Sequence, residues 1–178
     1  MKTPEQPSTK RLFLALWPDE SVVRKINQHA IKHFSDCQGR TLIKSNWHIT
    51  LSYFGSSDVK MQACIEKQAD KIKAEPFELL LSTCGFWKKP AVAWLAPSVI
   101  PDELRQLAFE VEQKITPCGY KSEDRDYKPH VTLVRKAKQA PSTNEIQAIP
   151  WFITKFCLVE SRTEAEGARY TVLKTWNF

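Results

Sequence analysis

The sequence is poor in glycine: only five glycines are scattered over 178 residues. It contains no Gly-x-Gly-x-x-Gly segment and no Walker-type lysine loop, which excludes the common glycine-rich phosphate cradles. No apolar run approaches the roughly 18 residues that cross a bilayer, so we expect no membrane partner. Residues 1–10 are polar, contain two prolines and lack the apolar core of a signal peptide. We therefore expect a flexible N-terminal tail on a cytoplasmic protein.

The cysteines are few, odd in number and without a Cys-x-x-Cys pair. This scattered pattern favours reduced thiols in a cytoplasm over a disulfide framework or a structural zinc site. His29 and His33 lie one turn apart on a predicted helix and could in principle ligate a metal. No glutamate lies between them in the zinc-protease pattern, and we expect both to face solvent, so we predict no metal and no cofactor. The five cysteines are Cys37, Cys64, Cys84, Cys118 and Cys157.

The composition is that of one globular domain. Apolar residues make up 42% of the chain, which includes six tryptophans and nine phenylalanines. This length is sufficient for one substantial core, so we expect a single domain over residues 11–178. The formal charge of +6 favours an acidic partner such as nucleic acid or phosphate.

Hydrophobic periodicity predicts an α+β fold. Strands joined by hairpins and set against three helices are typical of mainly antiparallel sheets. Helices are predicted over residues 19–34, 58–74 and 102–116, each with an apolar stripe at helical spacing. Strands are predicted over residues 11–17, 41–44, 47–55, 77–87, 91–96, 130–134, 151–160 and 168–178.

The most informative segment is the predicted strand Trp47–Gly55, rich in β-branched and aromatic residues. Alternate side chains of a strand share a face. His48 and Thr50 are therefore predicted to lie side by side on one face of the strand, together with Phe54. An imidazole and a hydroxyl on a rigid element, above an apolar backing, form half of a candidate site.

A second segment, Pro129–Val134, repeats this pattern with His130 and Thr132. For a single His-x-Thr, a cross-strand hydrogen-bonding pair in a half-buried sheet is the simpler interpretation. Two apolar-flanked copies among four histidines would arise by chance on the order of once in a thousand sequences. The repetition therefore indicates one site built from two similar halves.

Two histidines and two threonines in one cleft would suit phosphoryl transfer. Histidine titrates near neutrality, so one ring can accept a proton while the other holds one. The attacking and leaving oxygens lie roughly in line across phosphorus, so the two imidazoles must flank it. Threonine hydroxyls can donate to the equatorial oxygens. Because the two motifs are nearly equivalent, the residues alone leave open which histidine is the acid and which the base.

Two apolar-flanked His-x-Thr segments resemble the 2H phosphoesterase superfamily. The similarity extends to its branch of RNA 2′,3′-cyclic phosphodiesterases, also called 2′-5′ RNA ligase-like proteins. The resemblance implies a bilobed α+β fold of two mainly antiparallel sheets related by pseudo-twofold symmetry, with helices on the outside and a central cleft. The segments that carry it are residues 11–16, 47–55, 91–95, 128–135 and 168–173.

The resemblance also implies metal-independent hydrolysis of a terminal 2′,3′-cyclic phosphate on RNA to a 2′-phosphate. RNA termini or cyclic nucleotides would be the partners, and 2′-5′ ligation would be the reverse reaction. By the resemblance, His48 is the proton donor, His130 is the proton acceptor, and Thr50 and Thr132 contact the phosphate. We expect the protein to be a monomer.

Two further residues are candidates for substrate contacts. Arg135 would suit a phosphate oxygen through its forked donors. Strict alternation places it on the face opposite His130, so it needs a bulge or the strand end to reach the cleft. Phe54 could stack on a base, and a core phenylalanine is the alternative. Two other functions also stay open: an RNA-binding module with a degenerate cleft, and a 2H phosphoesterase for another cyclic or 2′-5′-linked nucleotide.

Overall fold

The computed structural model describes residues 9–121 and 126–178. Residues 1–8 of the predicted tail lie outside the described residues, and Lys10 already belongs to the first strand. The division into a tail and a single domain over residues 11–178 stays a prediction.

The described residues form three helices and nine strands, which confirms the α+β fold class. The helices are α1 (Glu20–His33), α2 (Val59–Ala69) and α3 (Asp102–Ile115). The strands are β1 (Lys10–Leu16), β2 (Arg40–Thr41), β3 (Ile49–Ser57), β4 (Phe77–Trp87), β5 (Val92–Pro97), β6 (Val131–Arg135), β7 (Glu145–Ile153), β8 (Lys155–Glu164) and β9 (Gly167–Asn177).

These nine strands belong to one sheet, in the order β7-β4-β5-β6-β3-β1-β8-β9, with β2 paired to β6. Each strand pair in it is antiparallel. The expectation of two separate sheets is therefore corrected, because β3 and β6 join the two halves through the pair Ile49 and Val131. The two expected lobes are the two halves of this one sheet.

The two faces of the sheet differ in what covers them. Leu12, Leu14 and Leu16 of β1 join a large core, whereas Phe13 and Ala15 belong to a smaller cluster. This alternation is the period-two pattern of a strand with two covered faces. Each helix contributes to the large core, through Ile26 of α1, Ile65 of α2 and Leu104 of α3. The helices therefore lie on one face, and we call the opposite face the cleft face.

Side-chain caps fix where the first two helices begin. The Asp19 carboxylate accepts a hydrogen bond from the Val22 amide at the start of α1, at 2.9 Å. The Asp58 carboxylate does the same for the Met61 amide at the start of α2, at 2.8 Å. Each cap satisfies an amide that has no partner within its helix. The predicted starts of both helices are thus confirmed to within two residues.

Two predicted elements differ from the structure. The single strand predicted over 151–160 is wrong, because β7 ends at Ile153 and β8 begins at Lys155. These strands lie in different halves of the sheet, and β7, which contains Pro150, is an edge strand, where proline is tolerated. Helix α2 ends at Ala69, earlier than predicted, and the Asp70 carboxylate that follows accepts hydrogen bonds from side chains of β9.

The prediction that all five cysteines are thiols is also wrong. Cys64 of α2 and Cys118, which follows α3, form a disulfide across a sequence separation of 54 residues. Helices α2 and α3 contact each other, and this packing brings the two sulfur atoms together. Nothing in the spacing of the cysteines indicates that contact. The free thiols are Cys37, Cys84 and Cys157, all buried.

The residue pair that joins the two halves of the sheet should matter for stability. Ile49 is fully buried, so Ile49→Val, which removes one methylene, is expected to cost about 1 kcal/mol of unfolding free energy. Ile31 is 69% exposed on α1, and Ile31→Val makes the same chemical change there with an expected effect of a few tenths of a kcal/mol. Urea denaturation measures both. Equal effects would show that the Ile49 contact is not tightly packed.

Candidate active site

The two His-x-Thr motifs meet at the pair that joins the halves of the sheet. Ile49 and Val131 lie opposite each other and are both fully buried in the large core. The residues that flank them on each strand must therefore point to the cleft face. In an antiparallel pair, the residue before Ile49 lies opposite the residue after Val131, and the residue after Ile49 lies opposite the residue before Val131. The four predicted residues are thus brought together as two facing pairs, His48 with Thr132 and Thr50 with His130.

A local twofold axis relates these two halves of the site. It passes between Ile49 and Val131, and it places the two histidines on a diagonal, roughly 7–8 Å apart at the backbone. The two rings are close enough for the charge of His130 to lower the pKa of His48. Two imidazoles at this spacing can flank one phosphorus.

The same backbone contact orients each histidine ring. The Nδ1–H of His48 donates to the carbonyl of Asn46 at 2.7 Å, and the Nδ1–H of His130 donates to the carbonyl of Lys128 at 2.8 Å. A carbonyl only accepts, so the proton of each neutral ring lies on Nδ1. Proton exchange with a substrate is therefore directed to Nε2 in both halves.

Three aromatic side chains enclose the His48 ring. Trp17 stacks on it, with ring centroids 5.4 Å apart and an interplanar angle of 7°. Phe13 lies at 4.9 Å, and Tyr170 meets the ring edge-on at 5.2 Å. Sequence reasoning missed these three neighbours. Of the three, Phe13 could have been found from the alternation of β1, whereas Tyr170 comes from β9 at the far end of the chain.

Burial lowers the pKa of His48 to about 4, from an ordinary value of 6.5. The largest cause is the loss of water around the ring, which disfavours the charged form. The positive charges of His130 and Arg135 lower the pKa further, and the hydrogen bond to Asn46 opposes the shift. His48 is therefore neutral at pH 7 in the ligand-free protein, and the Thr50 hydroxyl can donate to its Nε2 across 3.0 Å.

Two tryptophans border the other histidine. The Trp87 ring meets the His130 ring edge-on at 4.6 Å, and Trp94 lies 5.2 Å from Trp87. The Trp94 indole crosses directly over Gly85, where an added Cβ would lie 2.5 Å from the ring. Gly85 is therefore required for this flat packing. Aromatic side chains therefore lie beside the histidine in each half of the site.

Arg135 lies on the cleft face because β6 contains a bulge. Thr132 pairs with Trp94 of β5 and Arg135 pairs with Val92, so three steps on β6 match two on β5. The extra residue shifts the alternation by one. Residues that pair directly lie on the same face of a sheet. Val92 and Trp94 are two residues apart on β5 and therefore share a face. Their partners Arg135 and Thr132 share that face as well. The predicted requirement for a bulge is met.

The prediction that Phe54 faces the cleft is wrong. On β3, Thr50 pairs with Ala15 and Ser52 pairs with Leu14, which leaves Leu51 as an extra residue in a bulge and reverses the alternation before Phe54. Its ring is 9% exposed, lies in the large core and meets Tyr120 edge-on at 5.1 Å. The same bulge brings Tyr53, which is 49% exposed, to the side of Phe13.

Tyr127 connects the two motifs and was also missed. Its hydroxyl donates to the backbone carbonyl of Thr50 at 3.2 Å, so the segment before His130 is tied to the strand of His48. Burial raises the pKa of Tyr127 well above its usual range, which keeps this hydroxyl protonated as a donor. Its position three residues before His130 carries no recognisable signal.

The His29 and His33 rings stack on each other 6.0 Å apart on α1, and His33 Nδ1 contacts the Ser142 hydroxyl at 3.1 Å. Over residues 9–121 and 126–178, no three side chains of histidine, cysteine, aspartate or glutamate are grouped to hold a metal ion. Nor does any helix in this part of the chain have the length and apolar character needed to cross a membrane.

The fold and the paired motifs define a two-histidine phosphoesterase. The chain belongs to the 2′-5′ RNA ligase superfamily, whose sequence model matches residues 17–165. This finding confirms the family resemblance drawn from the two motifs.

Relatives and solved structures agree with the family. The RNA 2′,3′-cyclic phosphodiesterase of Escherichia coli K12 is 30% identical over 172 residues, which cover 94% of this chain and 96% of the relative. The enzyme of the same name from Archaeoglobus fulgidus is 29% identical over 140 residues, or 76% and 78% of the two chains. A crystal structure of E. coli LigT complexed with 3′-AMP matches with a TM-score of 0.88 and 29% identity, over 96% of this chain and 98% of LigT.

Proposed function

We propose that this chain is a metal-independent RNA 2′,3′-cyclic phosphodiesterase that opens a terminal cyclic phosphate to a 2′-phosphate. The observation that carries the proposal is the pairing of two His-x-Thr motifs across one twofold axis in a member of this superfamily. Relatives that match most of the chain bear the name of this activity. If the 5′ hydroxyl of a second RNA attacks phosphorus in place of water, the bond to the 3′ oxygen breaks in the same way and a 2′-5′ linkage forms, so ligation is open to the same site.

The proposed reaction needs one proton removed and one supplied. His130 Nε2 takes a proton from water as the water oxygen attacks phosphorus, and His48 Nε2 gives a proton to the 3′ oxygen as its bond to phosphorus breaks. The 2′ oxygen keeps its phosphate. The hydrogen bonds from Nδ1 to backbone carbonyls support these roles for both Nε2 atoms.

The two threonines and Arg135 are the proposed phosphate contacts. Thr50 and Thr132 lie on the cleft face beside the opposite histidine, where their hydroxyls can donate to the equatorial oxygens. The Arg135 guanidinium is close enough to act on the charge of His48. A fork of N–H donors suits a phosphate that gains charge in the transition state. Phe54 is not proposed as a base-stacking residue.

The low pKa of His48 must rise before His48 can act as the acid. A bound phosphodiester brings a negative charge beside Nε2, and an opposite charge within a few ångströms favours the protonated imidazole. The aromatic enclosure strengthens this attraction, because it keeps water away from the pair. We therefore assign the protonation of His48 to the substrate-bound state.

Substrates are RNA termini or cyclic nucleotides, and the protein acts as a monomer, since one chain supplies both histidines. A cytoplasmic location is supported by the RNA substrate. The disulfide between Cys64 and Cys118 opposes it, because cytoplasmic thiols are kept reduced. Alkylation of the protein during cell lysis, followed by mass spectrometry, counts the free thiols. Five free thiols would mean that Cys64 and Cys118 are reduced in the cell, and would support a cytoplasmic location.

The test is incubation of the protein with adenosine 2′,3′-cyclic phosphate in an excess of chelator. The expected result is turnover at an unchanged rate, with adenosine 2′-phosphate as the product resolved by chromatography. A rate that depends on added metal would contradict the metal-independent mechanism. The 3′-phosphate as product would contradict the assignment of the leaving oxygen. Binding of RNA without turnover would indicate the binding module instead.

A further inference from the structure

A second arginine stands beside Arg135 on the cleft face. Arg40 of β2 pairs directly with Arg135 of β6, so the two side chains project from the same face of the sheet. Their backbones lie about 5 Å apart. Arg135 also pairs with Val92 on its other side, which places this row on the face that carries Thr132. The cleft therefore contains two adjacent guanidinium groups.

This arrangement is electrostatically unfavourable in the ligand-free protein. Like charges directly opposite each other destabilise a sheet. Both arginines are exposed, and within residues 9–121 and 126–178 neither forms an ion pair with a carboxylate, although Arg162 and Arg169 do. A bound anion would offset the repulsion between Arg40 and Arg135. Two guanidinium groups, each with a fork of donors, can serve two phosphates.

Close backbone contacts hold Arg40 in this position. A Cβ on Gly39 would lie 2.6 Å from the carbonyl oxygen of Arg135, so only glycine lets β2 approach β6 this closely. A Cβ on Gly167, the first residue of β9 after the turn from β8, would lie 2.8 Å from a terminal nitrogen of Arg40. The guanidinium therefore rests against that turn. These contacts limit where the Arg40 guanidinium can lie, whereas a lysine at the tip of a loop has no such restriction.

The place of Arg40 relative to the reacting phosphate follows from strand register. His48 faces Thr132, and Arg40 faces Arg135 three residues further along β6, at most about 10 Å away. β2 thus continues the line of β3 beyond His48. His48 is the histidine assigned to the ribose 3′ oxygen, and Arg40 lies beyond it, on the side where a phosphate 5′ of that ribose could be bound.

We propose that Arg40 binds the phosphodiester linking the cyclic-phosphate nucleotide to the nucleotide before it, so that the site prefers an RNA end to a cyclic mononucleotide. This inference rests on the proposed function, since it takes the cyclic phosphate to lie between the histidines. Arg135 remains with the cyclic phosphate and Arg40 serves the next one. The internal phosphodiester of RNA is the ligand of this second subsite.

The test compares two substrates that differ by one phosphodiester: adenosine 2′,3′-cyclic phosphate and the dinucleotide ApA with the same cyclic end. Arg40→Gln, which keeps a side chain against Gly167, is expected to lower kcat/KM for the dinucleotide about tenfold and to leave the mononucleotide unchanged. Arg105→Gln removes the same charge from the exposed surface of α3 and is expected to change neither. Equal losses on both substrates, or none on the dinucleotide, would overturn the subsite.

A dinucleotide with an uncharged methylphosphonate linkage makes the comparison sharper. The kcat/KM of wild type is expected to be about tenfold lower for this substrate than for the natural dinucleotide. Arg40→Gln is expected to lower it no further, because the interaction is already absent. Additive losses would mean that Arg40 acts elsewhere. With the natural dinucleotide, Arg40→Gln should also reduce the dependence of log kcat/KM on log salt by about 0.7.

Failure of the proposed function would be visible separately. Wild type would then hydrolyse neither cyclic substrate. In that case the subsite is tested by calorimetry with the 2′-phosphate of adenosine and with ApA carrying a terminal 2′-phosphate. If wild type binds the dinucleotide more tightly than the mononucleotide and Arg40→Gln does not, the result would support the subsite. Equal affinity of both proteins for both ligands would overturn it.

Discussion

Replacing His48 or His130 by alanine is expected to reduce turnover of adenosine 2′,3′-cyclic phosphate by about a hundredfold to ten-thousandfold. Each substitution removes one of the two proton transfers, and the remaining imidazole cannot both accept and donate in the same step. The double variant His48→Ala/His130→Ala is expected to lose little more than either single variant, because residues that act as a unit are not additive. Initial rates by chromatography measure all three.

A matched control separates catalysis from the general loss of an imidazole. His33 lies on α1 against Ser142, outside the cleft, and His33→Ala should retain wild-type turnover. Folding is checked by near-ultraviolet circular dichroism, which reports the tryptophans beside the His48 and His130 rings. A folded His130→Ala protein with more than a tenth of the wild-type rate would show that water is activated by another group.

The paired motifs could be predicted because their meaning is local. A His-x-Thr in a strand puts both side chains on one face whatever the rest of the chain does. That the two strands are neighbours follows from the family resemblance, and the pair Ile49 with Val131 confirms it. The helices were similarly accessible, since Asp19 and Asp58 cap them within a few residues of the apolar stripe.

Bulges account for what sequence alternation placed wrongly. One extra residue on β3 sends Phe54 into the core, and one extra residue on β6 brings Arg135 to the cleft face. A bulge depends on how two strands are paired, so a single strand carries no sign of it. Strand alternation extended past a bulge assigns each later side chain to the wrong face, as it did for these two residues.

Contacts between distant segments were equally inaccessible from the sequence. The disulfide of Cys64 and Cys118 depends on how α2 packs on α3, and the enclosure of His48 by Tyr170 depends on the position of β9. The low pKa of His48 follows from this enclosure. An isolated histidine titrates near neutrality, so only the folded environment distinguishes His48 from the ordinary case.

This low pKa should make the protein lose stability on the acid side through His48. The folded-state pKa is about 4 and the unfolded value is 6.5. Above pH 6.5 the ring is neutral in both states and has no effect. As the pH falls from 6.5 to 4, the unfolded chain binds a proton that the folded protein excludes, so unfolding becomes more favourable. The expected loss from His48 between pH 7.5 and 5 is about 2 kcal/mol.

His48→Asn isolates this contribution, since the amide can still donate to the Asn46 carbonyl but does not titrate. Urea denaturation of both proteins at pH 7.5 and 5 cancels the effects of the carboxylates, which the two share. Wild type is expected to lose about 2 kcal/mol more than His48→Asn over this range. Parallel losses would show that His48 protonates as easily in the folded protein as in the unfolded chain.

Proton binding and anion binding should be linked at this ring. Sulfate keeps its charge between pH 5 and 7.5, so it can report on His48 without titrating itself. If an anion between the histidines raises the pKa of His48, sulfate must bind more tightly as the pH falls, and it must restore part of the stability lost in acid. His48→Asn lacks the titrating ring, so its sulfate affinity and its stability in sulfate should change less with pH than those of wild type. Sulfate that protects wild type and His48→Asn equally would place the anion away from His48, and the assignment of His48 as the acid would then fail.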